Sequence, residues 1–234
     1  MNHTLLVILP HPDDESFPMG GTLAKYAAHQ TRVILVCATR GEAGIPGLAP
    51  EEAAKIREGE LRRAAAELGL SEVRFLGYRD GTLAQVDAEE LIRRLTELLR
   101  ETQPDVVLTF GPDGISGHPD HVTLSTRVTQ AFDRAALPDA RLYYLAPSEA
   151  TLQGCGITPS QEVAGGPVAS IDITAYRLPK WRAMQAHASQ NPPFKGKPED
   201  EIENLACHEY FTLARPSGKF ADTEDLFAPL KERS

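Results

Sequence analysis

Four short apolar runs, separated by segments with helical spacing, constrain the fold of this chain more than any other feature. The runs are rich in branched residues and read TLLVIL (4–9), RVILVCAT (32–39), EVRFLG (72–77) and DVVLTF (105–110). Between them lie three segments with helical periodicity and helical terminal residues, at 20–30, 49–70 and 87–103. Strands that are apolar on both faces and alternate with helices are typical of a parallel sheet with helices on both faces. The sequence therefore predicts an α/β, Rossmann-like doubly wound and mostly parallel sheet.

We expect a single domain over residues 1–234, because 234 residues with 41% hydrophobic content suit one large α/β core better than two. The Rossmann-like part covers about 1–145. In the C-terminal extension, about 146–234, the pattern predicts a surface loop, a strand, a helix whose first turn holds Pro179, and a last short strand in HEYFTL. The loop is predicted at 146–167, the strand at 168–173 and the helix at 174–190.

Composition excludes several classes of partner. The net charge of −9 opposes binding to nucleic acid, which needs a basic surface. No apolar run approaches the roughly 20 residues that span a bilayer, so we expect a soluble, cytoplasmic protein with no membrane partner. The three cysteines are far apart and form no C-x-x-C pair, which suggests neither a disulfide framework nor a cysteine zinc site.

Polar segments follow each of the four predicted strands. They read HPDDE (11–15), TRGEAG (39–44), GYRDG (77–81) and GPDGISGHPDH (111–121). Because the carboxyl ends of parallel strands meet at one edge of the sheet, all four segments should gather there. That edge is also where open α/β sheets bind ligands.

Two H-P-D units stand out among these polar segments. His11 and Asp14 are three residues apart, and His118 and His121 repeat the spacing, with Pro119 suited to the first position of a helix. A polar residue after a strand is usually unremarkable, but two such units at the ends of two parallel strands indicate a metal site. Three N/O ligands plus a water are typical of catalytic zinc, while iron and cobalt stay open as alternatives.

Motifs for other chemistries are missing from the sequence. The turn after the first strand carries carboxylates where a dinucleotide-binding G-x-G-x-x-G would place a pyrophosphate. Neither G-x-x-x-x-G-K-[ST] nor G-x-S-x-G occurs, so P-loop and serine-hydrolase mechanisms lack their usual signatures.

The segments HPDDESFPMGGT and HPDH resemble the two signatures of the PIG-L/LmbE-like family of zinc-dependent N-acetylglucosaminyl deacetylases. The similarity continues through TRGEAG and KWRAMQAHASQ, and so covers nearly the whole chain. Two departures are the segment SFPM after the first signature and GISG before the second, where some members have a tyrosine that assists the oxyanion.

The resemblance implies a role for each residue of the two motifs. It makes His11, Asp14 and His121 the ligands of a single zinc ion and Asp13 the general base. It places His118 to hydrogen-bond the oxyanion or to protonate the leaving amine. Asp120 would then be the partner that orients the His118 ring. Whether His118 or Asp13 carries the proton to the amine stays open.

Residues outside the two motifs are assigned to the substrate side of the site. We expect Arg40 and Glu42 to contact substrate, with a salt bridge between them as the alternative. We also place His187 there, supporting the site and not binding metal. Glu15 either hydrogen-bonds a metal ligand or faces water.

The resemblance implies a zinc hydrolase that removes the N-acetyl group from a GlcNAc-containing small molecule, for example GlcNAc-malate in bacillithiol biosynthesis. Loops 41–49, 78–86 and 146–167 would decide the substrate. Family members often form rings, so we expect a homo-oligomer. A metal-dependent phosphoesterase and a catalytically silent sugar-binding protein are the alternatives; the first would usually need more carboxylates and cations, and the second has no need of Asp13.

Overall fold

The computed structural model describes residues 3–146, 168–190, 199–217 and 220–231. The strands in these ranges are β1 (Thr4–Leu9), β2 (Arg32–Cys37), β3 (Glu72–Phe75), β4 (Val106–Thr109), β5 (Arg141–Leu145), β6 (Val168–Asp172) and β7 (His208–Arg215). The α-helices are α1 (Ser16–Ala28), α2 (Pro50–Glu67), α3 (Ala88–Thr102), α4 (Pro119–Ala135) and α5 (Arg177–Ala186). Short 3-10 turns occupy Leu83–Gln85, Thr174–Tyr176, Ala188–Gln190 and Glu199–Asn204.

The strands form one sheet in the order β3-β2-β1-β4-β5-β7-β6. Strands β1 to β5 pair in parallel, whereas β7 is antiparallel to both β5 and β6. The predicted mostly parallel, doubly wound α/β fold is therefore confirmed. The two C-terminal strands extend the same sheet.

The central strand β1 shows why the apolar runs are continuous. Leu5, Val7 and Leu9 pack in the layer formed with α1, α2 and α5, while Leu6 and Ile8 pack in the opposite layer with α3 and α4. All five side chains are fully buried. Burying each contributes roughly 1.5–3 kcal/mol, which makes this strand the centre of the core.

Helix α1 begins earlier than its pattern predicts, at Ser16 instead of residue 20. Gly20 and Gly21 therefore lie inside the helix and not at its start, and they allow close packing there. A Cβ at Gly21 would lie 2.5 Å from Cδ1 of Ile173. Close approach of the segment after β6, and not a helix boundary, accounts for glycine at this position.

Two further elements differ from their predictions. Strand β5 is not among the predicted strands, because RLYYL carries polar atoms whose partners lie far away in the sequence, such as the carbonyl of Leu226 that accepts from Arg141. The predicted helix at 174–190 is broken: α5 ends at Ala186, and a 3-10 turn follows at Ala188–Gln190. Most of the predicted loop, 147–167, lies outside the described residues.

No helix in the described part of the chain has the length and apolar composition needed to cross a membrane.

Candidate metal centre and active site

The two H-P-D motifs meet because β1 and β4 are neighbours in the sheet. Leu5 and Val7 pair with Val106 and Leu108, in parallel. The turn after β1 and the loop after β4 therefore leave the same edge side by side. Since β2 lies on the other side of β1, this is also the point where strand order reverses and where such folds bind ligands.

Three side chains from these two segments converge. His11 Nδ1 lies 3.3 Å from His121 Nε2. Asp14 Oδ2 lies 3.6 Å from that His11 nitrogen, and Asp14 Oδ1 lies 3.5 Å from that His121 nitrogen. Ligand atoms bonded at roughly 2.0–2.2 Å to a tetrahedral ion lie about 3.3–3.6 Å apart. The two imidazole nitrogens have this spacing, and each has an Asp14 oxygen at a similar distance, so the three side chains are placed to share one cation.

The His11 ring is oriented from its other side. Its Nε2 lies 2.9 Å from Oδ1 of Asp80 and 3.3 Å from Oδ2 of Asp120. Two carboxylates at Nε2 favour the tautomer with the proton there, which leaves the Nδ1 lone pair directed toward His121. Carboxylate partners of this kind orient metal-binding histidines and make them more basic.

The His121 ring is held in the matching tautomer. Its Nδ1 lies 3.3 Å from the carbonyl oxygen of Gly114, and Phe110 stacks on the ring at 4.3 Å between centroids. Donation from Nδ1 to that carbonyl leaves the Nε2 lone pair for a metal. Gly114 has a φ of +63°, and a Cβ there would lie 2.7 Å from the His121 Cβ, so glycine is needed at this position.

Charges in this cluster favour binding of a cation. Burial lowers the pKa of His11, but hydrogen bonds to Asp120, Asp14 and Asp80 outweigh burial and raise it to about 11. A cation bound at Nδ1 would therefore replace the proton on that nitrogen, leaving the proton on Nε2 between the two carboxylates. Burial opposes ionisation of Asp14, yet His121 and His11 bring the pKa of its carboxyl below the usual range. An anionic pocket with two aligned imidazoles fits a divalent cation that prefers N/O ligands, such as zinc.

Asp13 adopts an unusual backbone conformation beside this cluster. Its φ is +97°, and its Oδ2 accepts a hydrogen bond of 3.0 Å from Nη2 of Arg57. The same guanidinium donates to the carbonyls of Pro12 and Gly41. Burial and the charge of Asp14 raise the pKa of Asp13 to about 7, against the lowering effect of Arg57. A carboxyl of this pKa can exchange protons near neutral pH.

His118 caps the N-terminus of α4. Its Nδ1 accepts a hydrogen bond of 3.2 Å from the backbone N–H of Asp120. Because Nδ1 accepts, the neutral ring carries its proton on Nε2 and can donate from there. His11, His118 and His121 each have a ring nitrogen within 4.8 Å of the other two, so the His118 ring lies beside the ligand cluster.

Asp120 has a different partner from the one expected. We expected its carboxylate to orient His118, but only its backbone N–H contacts that ring. The carboxylate is fully buried, approaches His11, and accepts hydrogen bonds from the backbone N–H groups of Gly81 and Leu83. The start of α4 aims this side chain toward the loop after β3, which supplies two donors that His118 cannot replace.

Arg40 and Glu42, expected on the substrate side, are engaged in loop structure. Arg40 Nε donates to Glu58 at 2.8 Å, so its ion pair is with Glu58 and not with Glu42. The guanidinium stays partly exposed, and its contact with substrate stays a prediction. The Glu42 carboxylate accepts hydrogen bonds from the backbone N–H groups of Arg40 and Asp80. Asp80 in turn accepts the backbone N–H of Ala43, so the two loops are joined reciprocally.

His187 cannot contact substrate directly, which corrects its assignment. Its side chain is 0% exposed, and its Nε2 lies 2.6 Å from Oε1 of Glu15. Glu15 is also fully buried, so it does not face water. In the part of the chain that the structure describes, its carboxylate accepts hydrogen bonds from Asp13 and Ser16 and pairs with His187, and not with a proposed metal ligand. The expected supporting role of His187 agrees with this geometry.

The rest of the HASQ segment, to which His187 belongs, attaches α5 to the site. Ser189 donates through its backbone N–H and its hydroxyl to the buried carboxylate of Glu60. Gln190 Nε2 donates to the carbonyl of Gly44. These contacts join α2 and the loop after β2 to the end of α5.

Two residues of the cluster were missed by sequence reasoning, Asp80 and Arg57. Asp80 stands in GYRDG, which was identified as a polar segment after a strand, so its position carried a signal. Arg57 lies within the pattern of α2, where an arginine ordinarily faces solvent. Its 4% exposure results from tertiary contacts that no local pattern reports.

A cleft of about 380 Å³ opens onto these residues. Its lining includes Asp13, Asp14, Asp80, His118, His121 and Gln190. Most of the residues that line it are polar or charged, as expected for a pocket that takes a hydrophilic ligand.

Comparison with known proteins identifies similar sequences. The model of the GlcNAc-PI de-N-acetylase (PIG-L) family matches residues 6–132. The 1D-myo-inositol 2-acetamido-2-deoxy-alpha-D-glucopyranoside deacetylase of Saccharomonospora viridis is 33% identical over 269 aligned residues, covering 97% of this chain and 100% of that protein. The probable N-acetyl-alpha-D-glucosaminyl L-malate deacetylase 2 of Bacillus anthracis is 34% identical over 192 residues, covering 80% of each chain.

Solved structures share the fold. The N,N'-diacetylchitobiose deacetylase of Pyrococcus horikoshii superposes with a TM-score of 0.67 and 28% identity, covering 90% of this chain and 83% of that one.

Proposed function

Because the chain belongs to the PIG-L family of GlcNAc-PI de-N-acetylases, and is thus an amide hydrolase, we propose that it uses zinc to remove the N-acetyl group from a GlcNAc conjugate. The observation that carries this proposal is the convergence of His11 Nδ1, His121 Nε2 and the Asp14 carboxylate within 3.3–3.6 Å. These residues would hold the ion. A bound zinc ion supplies Lewis acidity, which polarises an amide carbonyl and makes a neighbouring water more acidic.

Asp13 is the general base of this proposal. Its carboxyl lines the same cleft as the three ligand residues. In its ionised form it can take the proton from the water that attacks the amide carbonyl. Arg57 limits the movement of this carboxyl and balances part of its charge, because the guanidinium contacts both Asp13 Oδ2 and the preceding carbonyl.

His118 supplies the second proton function. With Nδ1 engaged at the helix cap, Nε2–H is the group that can donate to the oxygen on which negative charge develops. The leaving amine also needs a proton, and both His118 and protonated Asp13 line the cleft. We assign the oxyanion to His118 and delivery of the proton to Asp13, whose carboxyl has by then received the proton of the water.

The names of the relatives support a substrate class. Two of them are named for GlcNAc conjugates of inositol and of malate, and a third for diacetylchitobiose. We propose a small GlcNAc conjugate of this kind, with the GlcNAc unit in the polar cleft and the attached group toward loops 41–49 and 78–86.

A substrate panel with metal analysis tests the function. We expect purified protein to contain zinc and to release acetate from at least one of GlcNAc-inositol, GlcNAc-malate and N,N'-diacetylchitobiose. Phosphate release from sugar phosphates serves as the comparison reaction. A protein that binds no divalent metal, or releases phosphate but no acetate, would contradict the proposal.

A further inference from the structure

Asp13 occupies a backbone conformation that needs support. A φ of +97° is rare for a residue with a side chain, and such conformations cost about 1–3 kcal/mol unless the surroundings hold them. Aspartate tolerates left-handed backbone better than most residues, but it does not prefer it. Some group near Asp13 must therefore compensate for the strain.

Glu15 contacts the peptide group at which the strain is located. Its Oε2 accepts the backbone N–H of Asp13 at 3.0 Å. If Asp13 relaxed to a negative φ, this N–H would turn away from the carboxylate. The hydrogen bond thus exists only in the left-handed conformation and stabilises it selectively.

The carboxylate of Glu15 is itself fixed by a buried partner. Its Oε1 lies 2.6 Å from Nε2 of His187 and also accepts the hydroxyl of Ser16. Both Glu15 and His187 are 0% exposed. His187 is the C-cap of α5, and the turn that follows is hydrogen-bonded to α2 through Ser189 and Glu60. Glu15 is therefore held by a segment remote in sequence.

Among the described residues, neither side chain of the pair forms a hydrogen bond with a proposed metal ligand. Asp14 has its own anchor, the backbone N–H of His11 at 2.9 Å, and His11 is oriented by Asp80. Glu15 contacts Asp13, Ser16 and His187. Its effect on catalysis should therefore pass through Asp13.

We propose that Glu15 and His187 are positioning residues that hold the Asp13 peptide in its left-handed conformation and so aim the Asp13 carboxyl into the cleft. This inference rests on the proposed role of Asp13 as the base. His187 acts by fixing Glu15, and Glu15 acts by accepting the Asp13 N–H.

Two variants of similar size separate positioning from simple packing. Glu15→Gln keeps an oxygen that can accept the Asp13 N–H, whereas Glu15→Met fills the space without one. We expect Glu15→Gln to retain most of the wild-type kcat and Glu15→Met to lose about 10²-fold with little change in KM, since a small misplacement of a catalytic group has this effect. Both variants should keep their bound metal.

His187→Phe is a second, independent test of the positioning role, and it can be used if Glu15→Met does not fold. We expect this variant to lower kcat, and the double variant Glu15→Met/His187→Phe to be no slower than Glu15→Met alone. Additive losses would show that His187 acts by a separate route and would overturn the inference.

Crystal structures of the variants give a readout that does not depend on activity. We expect Asp13 to keep a positive φ in Glu15→Gln and to relax in Glu15→Met. A positive φ and a wild-type kcat in Glu15→Met, or loss of metal in step with kcat, would overturn the inference. If the wild type released no acetate, the proposed function would fail, while the φ of Asp13 in these structures would still test the positioning role.

Discussion

The Asp80 carboxylate lies 2.9 Å from Nε2 of His11, on the opposite edge of the imidazole from the one that faces Asp14 and His121. Hydrogen bonding to His11 lowers the pKa of Asp80 to about 2 although burial opposes this, so the carboxylate is ionised throughout the neutral range. Asp80 should therefore orient His11 and increase its affinity for a metal. Replacing such a partner typically weakens metal binding by about 10- to 100-fold.

We therefore predict that Asp80→Ala weakens zinc binding by about 10- to 100-fold, measured by competition with a chromophoric chelator. Glu51→Gln is a matched control, because Glu51 is an exposed carboxylate near the loops of the site with no contact to His11. Equal affinity of Asp80→Ala and the control would contradict the orienting role.

Asp13→Asn should separate proton transfer from metal binding. Asparagine tolerates left-handed backbone as well as aspartate does, so the turn should keep its shape while losing its proton acceptor. We expect acetate release to fall by about 10²- to 10⁴-fold, with zinc content unchanged. His121→Ala should instead lose the zinc. An Asp13→Asn enzyme with near wild-type turnover would exclude Asp13 as the base.

The buried ion pair between Lys180 and Glu209 should matter for stability. Nζ of Lys180 lies 2.6 Å from Oε1 of Glu209, with 4% and 3% of the two residues exposed. Glu209 also accepts the backbone N–H groups of Gly21 and Thr22 within α1. Removing one member of such a pair leaves an uncompensated buried charge and destabilises by about 3–5 kcal/mol.

Urea unfolding of Lys180→Met should therefore show a loss of about 3–5 kcal/mol in unfolding free energy. The double variant Lys180→Met/Glu209→Gln should recover part of that loss, because its buried carboxylate is gone. A single variant as stable as an exposed control such as Lys55→Met would show that the pair contributes nothing.

The His187 and Glu15 pair gives stability a pH dependence of defined sign. Burial lowers the pKa of His187, but Glu15 outweighs burial and raises the pKa of the imidazole above its ordinary value. A raised folded-state pKa means that the contribution to unfolding free energy is complete below about pH 6.5 and is lost as pH rises through the folded value.

The sign of this pH dependence can be measured by comparing the wild type with a variant that lacks the charges of Glu15 and His187. The difference in unfolding free energy between the wild type and Glu15→Gln/His187→Gln should be larger at about pH 6 than at about pH 9. Comparing two proteins with the same metal ligands removes most of the pH dependence of the metal site. A difference that grows with pH would mean that His187 is neutral in the folded protein.

The strands that carry the site could be predicted from the sequence because their signals are local. Continuous apolar runs identify β1 to β4 within a few residues of their observed ends, and each run is followed by its polar segment. The rule that parallel strands share a carboxyl edge then brings the two H-P-D units together before any coordinates are known. The resemblance to the PIG-L/LmbE-like family selected His11, Asp14 and His121 from these units as metal ligands.

Partner choice among the polar side chains was decided by the tertiary structure. The sequence offered His118 as the partner of Asp120, two residues away, but the carboxylate reaches His11, Gly81 and Leu83. Likewise, the burial of Arg57 and His187 depends on elements that arrive from elsewhere in the chain.

The difference between what the sequence determined and what the tertiary structure decided has a physical reason. Apolar periodicity and turn chemistry act over a few residues, so the sequence by itself determined most of the strands, the edge of the sheet and the two H-P-D units that meet there. The family resemblance then selected the metal ligands among them. Hydrogen bonds of buried polar groups depend on angles and distances between elements far apart in the chain, and buried donors and acceptors must find partners wherever packing places them. Only the folded structure could therefore assign Asp80 to His11 and Glu15 to the backbone of Asp13.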